Sequence, residues 1–191
     1  MGVVARAAPA ADRRLPRGNK RRVAMSIAYV ALGANLPTSS GDARSTLTQA
    51  FEALAHLPTT AVTAHSSFYQ TAPVDADGPD FINAAATLDT ALDAPSLLAA
   101  LLAIEHLHGR TRPATPAGQH AARTLDLDLL MHGDAVIDTP FLTLPHPRMH
   151  QRAFVLAPLA EIAPQLVIPG HGRVSDCLNS LGGQRVSRIT D

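Results

Sequence analysis

Two aspartates, Asp126 and Asp128, stand one residue apart in the stretch RTLDLDLL at residues 123–130. Leucine alternates with carboxylate at the period of a β-strand, whose successive side chains point to opposite faces. Leu125, Leu127 and Leu129 are therefore expected to turn into a core, and Thr124, Asp126 and Asp128 to the other face. Two like charges on one face repel, so something positive should meet them. Three readings are open: a solvated face, a general acid–base pair, or a site for a hard cation. Mg²⁺ takes one or two carboxylates, keeps several waters and draws its remaining ligands from substrate phosphates.

The arginines favour phosphate. Only nine lie beyond residue 25, and Arg110, Arg112 and Arg123 fall close to the two aspartates, with Arg148 and Arg152 shortly after them. A guanidinium fork bonds phosphate oxygens in pairs. No Gly-rich loop ending in Gly-Lys-Ser/Thr occurs, which excludes a P-loop enzyme. Lys20 is the sole lysine, so a phosphate site here must rely on Arg, His and metal. His146, between Pro145 and Pro147, suits a phosphate or structural role. His150 lies four residues on, but the Glu of a His-Glu-x-x-His motif is missing, and it is read as a surface residue. His106 and His108 are two apart on a helix and cannot share a face. Cys177 is the only cysteine, so it forms no intrachain disulfide and is read as core filler.

A second group suits an organic ligand. Phe81 and Asn83 lie two apart on one strand face; an aromatic ring stacks on a flat heterocycle, and a carboxamide offers its edge a donor and an acceptor. The alternative is that Phe81 is core and Asn83 caps a turn.

The elements that position these residues follow from periodicity. A buried strand is expected over 26–35, a helix over 42–57 with Asp42 as N-cap, and a strand over 60–70. A Pro/Gly/Asp loop follows at 72–80, then a strand at 81–90 and a helix at 94–109. Residues 110–122 read as a long loop, 123–137 as a strand, turn and short strand, and 143–164 as a Pro-rich turn leading into a helix. A short helix is expected near 175–181. This β-α-β-β-α-β order is the ferredoxin-like split βαβ arrangement, an α+β sheet with helices on one face.

The chain has 191 residues, 46% of them apolar, enough for one domain with a proper core. The formal charge of zero hides an asymmetry. Seven of sixteen Lys and Arg fall within residues 1–25, against one acid, leaving nine basic and fifteen acidic residues beyond, a balance of −6. An acidic domain is a poor binder of nucleic acid. Residues 1–25 are read as a disordered basic extension without a secretory h-region, with Met25 an alternative start, and 26–191 as a single domain. No run is long and apolar enough to span a membrane. A cytoplasmic monomer is expected, with neither nucleic acid nor membrane as partner.

The stretches YVALGANLP, SSFYQTAP, PDFINAA, IEHLHGRTR, RTLDLDLL and LTLPHPRMHQRAFVLAPLAEIAP, in that order over roughly 27–170, together resemble 6-hydroxymethyl-7,8-dihydropterin pyrophosphokinase, an enzyme family of folate synthesis. The resemblance implies a ferredoxin-like α+β fold with long catalytic loops, and transfer of pyrophosphate from ATP to the pterin's hydroxymethyl oxygen with release of AMP. It implies two Mg²⁺ ions on Asp126 and Asp128, with Arg110 and Arg123 stabilising the transferring group. Arg112, Leu129, Thr143, His146 and Arg152 would lie on the nucleotide side, and Glu105 would match an acid beside the substrates. Thr71, Pro73 and Val74 would contact the pterin, Asn83 would meet its ring edge, and Phe81 and Phe154 would stack on it. The chain departs from the family pattern at His120-Ala121-Ala122, where Trp-Gly-Pro is common, and at Pro147, where an aromatic is frequent. Both bear on lid closure and adenine contacts. Two rival classes are an Asp-x-Asp glycosyltransferase, which normally needs a larger nucleotide-binding domain, and a non-catalytic ferredoxin-like module that binds RNA or an effector.

Overall fold

The apolar run after Met25 forms the central strand β1 (Ser26–Ala34) in a computed structural model that describes residues 24–38, 41–72, 79–110 and 123–190. The two helices anticipated between the strands are α1 (Ala43–Ala55) and α2 (Ala94–Leu107). Each starts where an aspartate accepts the N–H of the residue three ahead, Asp42 from Ser45 at 2.8 Å and Asp93 from Ser96 at 2.9 Å. These bonds satisfy amide groups that a helix N-terminus otherwise leaves open.

The strand anticipated over 60–70 is two strands, β2 (Thr60–His65) and β3 (Tyr69–Thr71), both paired to β4 (Phe81–Thr90). Ser66 makes the break. Its Oγ accepts the Ala85 N–H at 2.9 Å and donates to the Ser67 carbonyl at 2.7 Å, so a side chain takes the place of one ladder acceptor there, while the Ser66 N–H still donates to the Ala85 carbonyl at 2.9 Å. β5 (Asp126–His132) completes the sheet, with β4 and β5 flanking β1 and all pairings antiparallel. The order β3-β4-β1-β5 is the split βαβ order foreseen, extended at the β3 edge by β10 (Ser187–Arg188). Two small hairpins follow β5 at intervals, β6 (Ile137–Asp138) with β7 (Thr143–Leu144), and β8 (Val167–Ile168) with β9 (Gly172–Arg173).

Helices cover both sheet faces, which corrects the expectation of one covered face. On the first face, Leu47 and Leu54 of α1 and Leu97 and Leu101 of α2 pack on Val30, Leu32, Leu88, Leu127 and Leu129. On the second, Val155, Leu156 and Leu159 of α3 (Ala153–Ile162) and Val174 and Cys177 of α4 (Val174–Ser180) pack on Ala31, Ala85, Leu130 and Met131. The small side chains of Ala31 and Ala85 let α3 approach. A bulge opposite Tyr29/Val30 leaves Leu130 as an extra residue, so Leu130 and Met131 both join this second core. Among the described residues no helix is long and apolar enough to cross a membrane.

Candidate active site

The site is built on the second face, at the end of the sheet toward the start of β5. Gly33 of β1 is in register with Asn83 of β4 on one side and Asp126 of β5 on the other. Two residues back, Ala31 lies between Ala85 and Asp128. Strands sit ~4.8 Å apart, so Asn83 and Asp126 face one another across roughly 10 Å. The central strand contributes almost no side chain between them. A Cβ added at Gly33 would lie 3.2 Å from Asn83 Oδ1. Hence the sheet floor is open between a carboxamide and a pair of carboxylates.

Charge is gathered on the β5 side. Arg110 Nη1 bonds both Glu105 and Asp126, and Arg123 Nη1 bonds the other oxygen of Asp126. Glu105, at the end of α2 and 2% exposed, also accepts the Leu127 N–H at 2.8 Å. Asp128 is less well served. It forms an ion pair with Arg152, 3.6 Å away and too long for a hydrogen bond. Burial, and then the charge of Asp126, push the Asp128 carboxyl above the usual carboxylate range. His146 is held toward its neutral form chiefly by burial, against the pull of Asp128. Its backbone N–H donates to the Leu130 carbonyl at 2.8 Å, which fixes it beside β5. Burial and the neighbouring charge of Arg148 lower the Arg152 pKa. Two carboxylates on one strand face, one of them poorly compensated, form an oxygen donor set that suits a hard divalent cation. Thr124 Oγ1 is the one buried side-chain polar atom without a partner among the described residues, which fits a site that a ligand completes.

On the β4 side, Asn83 is 4% exposed and donates from Nδ2 to Thr71 Oγ1 at 2.9 Å. It lies within β4 and does not cap a turn, and Phe81 belongs to neither buried core. Phe154 is the second residue of α3, with the Arg152 guanidinium 5.5 Å from its ring centroid. Thr143 lies on β7 opposite Asp138, three residues before His146. Leu129, between Asp128 and Leu130, is 3% exposed with its side chain in the first core, on the face away from the carboxylates. Arg112, Pro73, Val74 and the His120-Ala121-Ala122 departure fall outside the described residues, as do residues 1–23. His150 is half-buried and stacks on His171, with ring centroids 3.5 Å apart, more than the plain surface role expected of it.

Three positions escaped the sequence reading. Gly33 shapes the floor. Gln184, near the C-terminus, accepts the Ala153 N–H at 2.8 Å and donates to the Gln151 carbonyl at 3.0 Å, which secures the start of α3 and so Arg152 and Phe154. Asn35, 5% exposed, accepts the Arg123 N–H at 2.7 Å and donates to the Pro79 carbonyl at 3.2 Å. Its only signal in the sequence is an amide side chain at the end of a strand otherwise made of apolar residues.

A family model described as 7,8-dihydro-6-hydroxymethylpterin-pyrophosphokinase matches residues 29–164. A Haemophilus influenzae protein named 2-amino-4-hydroxy-6-hydroxymethyldihydropteridine pyrophosphokinase is 37% identical over 166 residues, 86% of this chain and 99% of its own length. A Pseudomonas aeruginosa protein of the same name is 40% identical over 162 residues, 84% of this chain and 95% of its own. Among solved structures, the wild-type Plasmodium falciparum HPPK-DHPS with SDX-DHP superposes with a TM-score of 0.64 at 14% identity. The match covers 82% of this chain and 44% of that one. At that identity the likeness concerns the fold alone, and the chain spans less than half of the Plasmodium protein's length.

Proposed function

The chain belongs to the 7,8-dihydro-6-hydroxymethylpterin-pyrophosphokinase family, and we propose from that premise how its own residues carry out the reaction. It is an ATP-dependent diphosphotransferase. It transfers pyrophosphate from ATP to the hydroxymethyl group of 6-hydroxymethyl-7,8-dihydropterin in folate biosynthesis, releasing AMP.

The observation that carries the residue assignment is the Asp126 carboxylate gripped by Arg110 and Arg123, with the under-compensated Asp128 beside it. Asp126 and Asp128 would hold two Mg²⁺ ions, which when bound neutralise phosphate charge and lower the pKa of the attacking hydroxyl. The pterin hydroxymethyl oxygen attacks the β-phosphorus, the bond from that phosphorus to the α,β-bridging oxygen breaks, and AMP leaves with that oxygen. The hydroxyl proton passes to solvent. Arg110 and Arg123 exchange their carboxylate partner for phosphate oxygens and stabilise the charge that builds there. Arg112, Thr143, His146 and Arg152, with the Leu129 backbone, receive the nucleotide. Asn83 and Thr71 meet the pterin edge, Phe81 and Phe154 its faces, and Pro73 and Val74 its loop side. No protein nucleophile takes part.

We read residues 26–191 as one catalytic domain acting as a cytoplasmic monomer on small molecules, with residues 1–25 an extension. The test is AMP formation from ATP, Mg²⁺ and the dihydropterin alcohol. The wild-type chain should turn over, and Asp126→Ala and Asp128→Ala should not. Near-normal turnover in both variants overturns the metal assignment.

A further inference from the structure

The two halves of the site meet at one buried side chain. Asn35 follows β1 directly, two residues beyond Gly33, and its carboxamide is used at both ends. Oδ1 accepts the backbone N–H of Arg123 at 2.7 Å, and Nδ2 donates to the backbone carbonyl of Pro79 at 3.2 Å. The Asn35 and Leu36 N–H groups both donate back to the Arg123 carbonyl, at 3.0 and 3.1 Å. Arg123 stands three residues before Asp126 and grips it, while Pro79 stands two residues before Phe81 and four before Asn83. The sheet itself fixes Asn83 and Asp126 through Gly33. It does not fix the residues just ahead of those strands, Pro79 before β4 and Arg123 before β5. Asn35 does.

We infer that Asn35 is a positioning residue that couples the two substrates, so that ordering the Arg123 segment on the nucleotide and ordering the Pro79–Phe81 segment on the pterin favour each other. The inference rests on the substrate placement proposed above. Physically, the amide is 5% exposed, and a buried polar group left without its partner is costly. A shift of either segment strains one of two bonds on a single planar group, and that strain is relieved only if the other segment moves with it. Coupling of this kind is reciprocal and typically amounts to about 5- to 150-fold in affinity.

The experiment titrates a non-hydrolysable ATP analogue with Mg²⁺ into the chain, with and without saturating 6-hydroxymethyl-7,8-dihydropterin. Wild type, Asn35→Ala and Asn35→Asp are compared. Asn35→Asp keeps the acceptor for Arg123 and lacks the donor for Pro79, so it cuts one arm and leaves the nucleotide-side bond in place. In wild type the pterin should tighten analogue binding about fivefold or more. In both variants that ratio should fall to within about twofold of one, while each substrate alone binds within about threefold of wild type. A ratio of one in wild type overturns the inference. So does an undiminished ratio in Asn35→Asp, or a loss of both separate affinities with the ratio kept, which marks Asn35 as scaffold only. Asn83→Ala and Asp126→Asn run alongside. If they fail to weaken pterin and analogue respectively, the substrate placement is at fault and not the clamp.

Discussion

Glu105 Oε1 accepts the backbone N–H of Leu127 at 2.8 Å. Leu127 is the residue between the two aspartates, 2% exposed with its side chain in the first core. The same carboxylate oxygen bonds Arg110. One acid at the end of α2 thus fixes the height of the strand that carries Asp126 and Asp128, and also holds the guanidinium aimed at Asp126.

Those two tasks separate in two variants. Glu105→Gln keeps an oxygen for the Leu127 N–H and loses the charge that holds Arg110, so it should fold normally and turn over more slowly. Glu105→Ala also leaves the Leu127 N–H buried without a partner, at a cost of about 1–3 kcal/mol. Its melting temperature should drop by roughly 2–4 °C per kcal/mol lost. Thermal melts beside initial rates distinguish the two. Equal melting points and equal rates for wild type and both variants would remove Glu105 from the site.

The open floor at Gly33 gives a second test. A methyl group there meets Asn83 Oδ1 at 3.2 Å, closer than ordinary contact, so the carboxamide, which bonds Thr71 on the β3 side, must give way. Gly33→Ala should therefore weaken dihydropterin binding on the order of tenfold, about 1.4 kcal/mol. Binding of the ATP analogue, whose proposed ligands lie across the floor, should change little. Calorimetry with each ligand alone checks this, and a larger loss for the nucleotide would contradict the placement of the pterin at Asn83.

The alternation in RTLDLDLL was enough to foresee which face Asp126 and Asp128 occupy, because strand periodicity is a local property. Two of the arginines near them in sequence are also near in space, Arg123 three residues before Asp126 and Arg110 just past the end of α2, while Arg112 falls outside the described residues. What stayed hidden depends on partners remote in the chain. Asn35 meets Arg123 across 88 residues and Gln184 meets Ala153 across 31, and no periodicity reports such pairs. The Ser66 break is hidden likewise, since its partner Ala85 sits on another strand. The second helical layer was missed because Ala31 and Ala85 look unremarkable until α3 is seen resting on them.

Asp128 makes the stability of the fold depend on pH. Its carboxyl pKa is raised from 3.8 by burial and by Asp126. A raised acid pKa means that folding favours the protonated form. The resulting stability is fully present below 3.8 and is lost as pH rises through the folded-state pKa. At neutral pH and without divalent metal, the ionised group therefore destabilises the fold. Asp128→Asn should melt higher than wild type in a chelator at pH 7, and the gap should close as the pH is lowered toward 3.8. The same variant should lose turnover. A lower melting point at pH 7 would mean that the pairing with Arg152 outweighs the cost of burying the charge.

The side chain and the backbone of Arg123 act separately. Its N–H and carbonyl belong to the Asn35 clamp, and no side-chain substitution removes them. Its guanidinium bonds Asp126 in the resting fold. Arg123→Ala should therefore keep the segment in place and delete only the charge. Loss of one donor aimed at developing charge lowers turnover by about 10²-fold or more, and that is the expected fall in kcat, with the clamp-dependent pterin affinity retained. Arg123→Lys restores a point charge without the planar fork that pairs with phosphate oxygens, so its kcat should lie between the two. If Arg123→Ala leaves kcat unchanged, the guanidinium serves only to hold Asp126 in the absence of substrate. If instead Arg123→Lys equals wild type, charge alone suffices, and paired recognition of phosphate by this residue is ruled out.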